Sequence, residues 1–193
     1  AYGLTVPLIT KSDGTKFGKT ESGAIWLDAK KTSPYAFYQF WLNCDDAGVI
    51  DYLKIYTLLS KEEIEELERK TKENPSERLA QKALARAVTT LVHGDDRTNS
   101  VEKVTNVLFG NASFDSLDVS DIYLLSSEIP TSNIGKSVVD ILFETGIATS
   151  NGDARRLIAG GAVSVNSNKI SEDFVINHPS LIKKGKNSFV LVK

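Results

Sequence analysis

The sequence contains no methionine, one cysteine and two histidines among its 193 residues. A single thiol, Cys44, cannot build an internal disulfide framework, and it fits a reducing, cytoplasmic setting. Neither His93 nor His178 lies near it in the chain, so Cys44 reads as a small residue at a helix end and not as a nucleophile. No run of eighteen apolar residues exists, which leaves no membrane-crossing helix to expect, and the N-terminus lacks the charged-then-apolar layout of a signal peptide. No metal site is expected. The methionine is missing even at position 1, and Leu4 to Ile9 opens the chain as an apolar, strand-like run with no cap or nearby partner strand. Ala1 is therefore expected to be the cut edge of a longer protein.

What is present is enough to fold. At 41% hydrophobic residues the chain can bury a sizeable core in one or two domains. The net charge of −2 conceals an asymmetry: residues 1–133 carry 15 Lys and Arg against 20 Asp and Glu, whereas residues 134–193 carry 8 against 5. The basic end is the C-terminal one, the sign that favours a nucleic-acid partner when a motif accompanies it.

The most informative stretch is Thr10 to Asp28, with Lys16-Phe17-Gly18-Lys19-Thr20 at its centre. Glycines at 14, 18 and 23 let backbone approach an anion, and Lys16 and Lys19 supply two ammonium groups for its oxygens. The nucleotide-binding P-loop does not fit. It needs four residues before its Gly-Lys-Thr, and Gly14 and Gly18 enclose three; the following residues, with Gly23 among them, have no helical period.

Further on, Ser33-Pro34 starts a helix running to about Asn43, crowded with Tyr35, Phe37, Tyr38, Phe40 and Trp41 and so buried on most sides. Asp45 or Asp46 caps the next, with Val49, Ile50, Leu53 and Tyr56 on one side. Ser60 to Glu63 forms a capping box for the acidic helix Lys61 to Glu73. Asn74-Pro75 restarts the chain into a helix with a stripe of Leu79, Ala83, Ala87 and Leu91 beside Leu84 and Val88, ended by His93-Gly94, where His93 gains from the helix dipole. A helix from about Asp96 to Phe109 carries Val101, Val104 and Leu108. Ser126 to Asn133 has the composition of a linker. Helices from about 135 to 145 and 150 to 158 follow, then a strand Ala162 to Asn166, a turn at Ser167-Asn168, a basic turn Lys183 to Asn187, and a closing strand Phe189 to Val192. The expected class is mainly α, then α+β.

Two sets of residues resemble one family. Lys-Phe-Gly-Lys-Thr at 16–20 is similar to the lysine-rich loop of class I aminoacyl-tRNA synthetases in its bacterial-type tyrosyl form, and its flanks, Gly3 to Lys11 and Thr32 to Trp41, resemble the same family in the same order. The pattern Ser150-x-x-Asp-Ala-Arg-Arg-Leu-Ile-x-x-Gly-Ala-Val-x-Val-Asn166 resembles the S-four-like RNA-binding domain over about sixty residues, with neutral Asn151 and Gly152 where many members carry charge. The resemblance implies a tail end of a nucleotide-binding domain over 1–32, a helical anticodon-binding bundle over 33–125, a linker over 126–133 and an S-four-like RNA-binding domain over 134–193.

It also implies a reaction. Tyrosine attacks ATP, present with Mg2+, to give tyrosyl-adenylate, and the tyrosyl group passes to tRNA(Tyr). Lys16, Lys19 and Thr20 would be catalytic, holding charge on the departing pyrophosphate, with Lys16, Phe17, Gly18 and Lys19 binding ATP. Ser150, Arg155, Arg156, Asn166, Lys169, Lys183, Lys184 and Lys186 would meet RNA, reading backbone shape more than base edges. The bland alternative for the arginines is surface pairing with Asp153 or Glu172. The family's His-Ile-Gly-His signature is absent, so the chain alone is expected to bind tRNA without catalysing, and as a monomer where the parent is a homodimer. The competing reading is a free-standing RNA-binding protein, which leaves the two-lysine loop without purpose.

Overall fold

The computed structural model describes residues 1–5, 8–10, 14–15, 19–20 and 23–193. Its contacts separate two compact units, Ala1–Thr98 and Asn99–Lys193.

In the first unit, the described part of 4–9 has no regular structure, and Leu4 and Leu8 are exposed. The expected strand is not formed among these residues, which find no neighbouring strand. A short hairpin joins β1 (Lys19–Thr20) to β2 (Gly23–Ala24). Four helices follow. α1 (Pro34–Leu42) is capped by Ser33, whose Oγ accepts from Ala36 N at 3.0 Å, and it buries Phe37, Tyr38 and Trp41. α2 (Val49–Tyr56) is capped by Gly48, not by an aspartate side chain; Asp45 Oδ1 instead accepts from Gly48 N at 2.7 Å, fastening the turn before the helix. α3 (Lys61–Glu73) has both halves of the expected capping box, between Ser60 and Glu63. α4 (Leu79–His93) starts one 3-10 turn after Asn74, beyond Arg78 at φ 53°.

The buried stripe of α4 is Ala80, Gln81, Leu84, Ala85 and Val88, and Leu91 is 64% exposed. The stripe is therefore rotated from the expected one, because α1 and α2 pack where the 80–84–88 row points, and adjacent rows on a helix differ by one residue. His93 closes the last turn of α4 as expected; its ring lies edge-on to Phe37 at 4.9 Å, and burial, with the Arg97 charge, lowers its pKa.

α5 (Asp95–Phe109) spans the division at residue 98 and buries Val101, Val104 and Leu108 as expected. In the second unit, α6 (Val119–Glu128) is capped by Asp118. The expected linker is ordered structure: Ser126–Glu128 close α6, and β3 (Thr131–Ser132) runs parallel to the last strand. α7 (Val138–Glu144) is capped by Ser137 and α8 (Asn151–Ala159) by Ser150, whose Oγ accepts from Asp153 N at 3.1 Å.

Strands β4 (Val163–Val165), β5 (Asn168–Lys169), β6 (Ser180–Lys184) and β7 (Ser188–Val192) complete a mixed five-stranded sheet in the order β3-β7-β6-β4-β5. The turn between β4 and β5 is at Asn166-Ser167, both at positive φ (47° and 68°), one residue before the expected place; this is the primed geometry that suits a two-residue hairpin. One sheet face, with Val163, Val165, Ile182, Val190 and Val192, forms an aliphatic core with residues of α7 and α8 such as Leu142 and Ile158. This helix-rich chain with a small mixed sheet at its end contains no helix, among the described residues, long and apolar enough to cross a membrane.

Candidate nucleic-acid interface

The anion loop can be placed only in part. Lys16, Phe17 and Gly18 lie outside the described residues, and of Lys19 and Thr20 only the backbone is described, paired to Ala24 and Gly23. Close by, Tyr52 Oη donates to Thr10 O at 3.1 Å, tying this segment to α2. Trp26 N donates to Thr32 Oγ1 at 3.0 Å, and the Lys31 ammonium sits 4.1 Å from the Trp26 ring centre, which closes the turn leading into α1.

The basic residues of the second unit are built on α8 and the sheet. Ala154 and Ile158 turn the apolar side of α8 into the core, and this turns both Arg155 and Arg156 outward, where they are exposed. Arg156 Nη2 stands 3.6 Å from Asp153 Oδ1 with 80% of its side chain exposed, a solvated pair of small energetic weight. The Asp153 carboxyl is held below its ordinary pKa chiefly by the hydrogen bond from Thr149 N, then by the Thr149 hydroxyl, and also by the charges of Arg156 and Lys184. Asp153 is thus occupied at the helix start and offsets only part of the positive charge around it.

Two residues of the expected RNA set work inside the fold. Ser150 is the helix cap, and Asn166 Oδ1 accepts from Leu181 N at 2.8 Å, pinning the hairpin to β6. The lysines do not form one patch. Lys183 and Lys184 belong to β6 and not to a turn, so the pleat sends them to opposite faces; only Gly185, Lys186 and Asn187 make the turn. Lys184 is in register with Val163 on the α8 side. Lys183 is in register with Ser164 and Phe189 on the outer face, where its Nζ donates to Leu108 O at 3.1 Å and lies 5.3 Å from the Phe189 ring centre. Phe109 meets Phe189 edge-on at 5.4 Å. The strand β6 was missed because only Leu181 and Ile182 precede its lysines, too short an apolar signal for a strand. Lys169 and Lys186 are exposed.

Residues 1–110 match the family described as tRNA synthetases class I (W and Y), and residues 121–192 match the tyrosine–tRNA ligase SYY-like C-terminal domain. The chain belongs to the class I tyrosyl-tRNA synthetase family. Within that family, it is 46% identical over 208 aligned positions to a tyrosine–tRNA ligase of Roseiflexus castenholzii, with all of this chain and 49% of the relative covered. The chain thus spans about half the length of that curated relative. It also aligns with two crystal structures of C-terminally truncated mitochondrial tyrosyl-tRNA synthetases. That of Aspergillus nidulans shows 40% identity over 45% of this chain and 25% of that one, with a TM-score of 0.44. That of Coccidioides posadasii shows 37% identity over 52% and 26%, with a TM-score of 0.46. Among the described residues of this synthetase-family chain, no group of three or more His, Cys, Asp or Glu side chains is gathered as a metal site.

Proposed function

We propose that the chain is the tRNA-gripping part of a tyrosine–tRNA ligase, a parent enzyme that activates tyrosine with ATP and transfers it to tRNA(Tyr) in the cytoplasm. Residues 1–32 are the end of its nucleotide-binding domain, 33–125 its helical anticodon-binding domain, and 134–193 an S-four-like RNA-binding domain, with 126–133 as an ordered connection. Lys16, Lys19 and Thr20 stabilise charge on the leaving pyrophosphate, with Phe17 and Gly18 shaping the loop around ATP, which arrives as its Mg2+ complex. No general base is required for that step. Acting without the histidine signature and the tyrosine pocket, this chain binds tRNA but does not form adenylate, and it is a monomer where the parent is a homodimer.

The observation that carries the RNA reading is the exposure of both Arg155 and Arg156 on a short, firmly capped helix beside Lys184. Two guanidinium groups held on a rigid element suit the phosphates of an A-form stem, with Lys186 added from the turn. The test is titration of a structured tRNA over a salt series. Binding should weaken as salt rises, and Arg155→Ala with Arg156→Ala should lower the slope by roughly one to two counterions while circular dichroism stays native. A folded double variant with unchanged affinity and slope would remove α8 from the interface. Pyrophosphate exchange dependent on tyrosine would overturn the non-catalytic reading.

A further inference from the structure

The outer face of the sheet carries a row that the α8 reading does not use. In register across three adjacent strands stand Lys169, Ser164 and Lys183. Directly opposed residues in antiparallel strands point to the same face, so two ammonium groups flank one hydroxyl. Their Cα atoms are roughly 10 Å apart, two strand spacings, a distance that two lysine side chains can close over Ser164. These residues line a cleft of about 520 Å3 whose polar side chains are Asn111, Ser164, Ser167, Lys169 and Lys183, the rest being glycines, Ala162 and Val163. Every one of those polar groups can donate a hydrogen bond, and no carboxylate lines the cleft.

The partners of these donors narrow the ligand. Lys183 spends one of its three protons on Leu108 O, at the C-terminal end of α5, where the helix dipole favours a cation. That bond holds the ammonium at the end of α5, 5.3 Å from the Phe189 ring centre, and leaves two protons free. The side chain of Lys169, exposed on the edge strand, makes no ion pair or hydrogen bond among the described residues. Two like charges facing one hollow repel each other unless an anion sits between them. The cleft size is that of a small-ligand site, large enough for a nucleotide and open enough for a strand of backbone.

We propose that this cleft is a phosphate-binding site, separate from the arginines of α8, in which Lys169 and Lys183 hold the phosphate oxygens and Ser164, Ser167 and Asn111 complete their hydrogen bonds. The phosphate can come from an RNA backbone or from a free nucleotide. The RNA source rests on the reading of the chain as an RNA binder; the site itself does not.

The experiment is a backbone amide NMR titration of the full chain with three probes: inorganic phosphate, adenosine monophosphate and a short RNA hairpin. The amides of Asn111, Ser164, Ser167 and Gly185 should shift with phosphate and with at least one of the other two probes, and that probe names the source. Lys169→Ala should raise the apparent Kd for that probe roughly three- to tenfold, less than a buried charge-assisted bond would lose, and Lys169→Arg should restore most of it. Lys183 is left intact in these variants, since its removal also frees the Leu108 carbonyl. Arg155→Ala with Arg156→Ala should leave the phosphate shifts unchanged. If RNA shifts the α8 amides while no probe shifts the cleft amides, the site is refuted and the RNA reading stands. If phosphate and nucleotide shift the cleft amides but RNA shifts nothing, the site stands and the RNA reading fails. Equal affinity of Lys169→Ala and wild type for all probes would refute the assignment of the row.

Discussion

The helical bundle of α1 to α4 and the sheet module at the C-terminus bury different kinds of interior. The module's core is thirteen Val, Ile, Leu and Ala side chains, from Val138 to Val192, and its buried hydroxyls, Ser132 and Ser180, are satisfied by hydrogen bonds to Glu144 and to His178 O. The bundle buries Gln81 and Thr89 completely beside its aromatic residues, and Gln81 Oε1, Thr89 Oγ1 and His93 Nε2 are enclosed without a hydrogen-bond partner among the described residues. Its fastenings are polar and long in sequence: Gln81 donates to Asp46, and Arg78 Nη2 donates to Leu42 O at 2.7 Å and Cys44 O at 3.4 Å, closing the C-terminal end of α1. A dry aliphatic core is limited by volume, whereas a core threaded by polar groups is limited by whether each keeps its partner.

That contrast breaks most visibly at Leu142, fully buried in the module. Leu142→Ala should cost about 2–5 kcal/mol through lost transfer energy and the cavity left behind. Both tryptophans, Trp26 and Trp41, are in the first unit, so the circular dichroism midpoint should fall while the tryptophan fluorescence midpoint stays in place. A common shift of both midpoints would show one cooperative fold and dissolve the comparison.

The reciprocal change is Arg78→Ala, which removes a charged donor from two carbonyls. It should cost about 1.5–3 kcal/mol and lower the fluorescence midpoint, leaving the module's transition unmoved. An unchanged fluorescence midpoint would mean that the arginine clamp does not hold the bundle.

The smallest effect expected is a pH effect at Cys44. Burial first, then the Asp45 charge, pushes its thiol from an ordinary 9.0 up to about 11. The folded state therefore keeps a proton that the unfolded chain gives up sooner. The stability this lends is complete below pH 9.0 and is lost as pH rises toward about 11. Urea midpoints of wild type should fall more across that window than those of Cys44→Ser, and alkylation of the native thiol at pH 8 should be slower than that of a free cysteine. Parallel midpoints would show that the thiol titrates normally.

The parts of the fold that were legible are the parts that local chemistry decides. Ser33, Ser60 and Ser150 cap the helices that follow them, because a hydroxyl reaches an amide two or three residues on whatever surrounds it. The 101–104–108 row of α5 and the closing strand β7 were equally clear, since each repeats its period without a rival row. On α4 two apolar rows compete, and sequence period alone favours neither; packing against α1 and α2 decides.

The sequence by itself determined the class of the chain, helices first and a small sheet last, and the short capped helix bearing Arg155 and Arg156. Only the tertiary structure decided where each basic group points. Lys183 and Lys184 are neighbours in the chain, yet hydrogen-bonded register and the two-residue pleat put one on the outer face with Ser164 and Lys169 and the other beside α8. Ser164 and Asn111 gave no sign of a site in the sequence, because what brings them to one cleft is the pairing of β4 with β5 and β6 and the loop after α5. Charge is written residue by residue, but the direction in which it acts is set by long-range strand pairing, which no local pattern encodes.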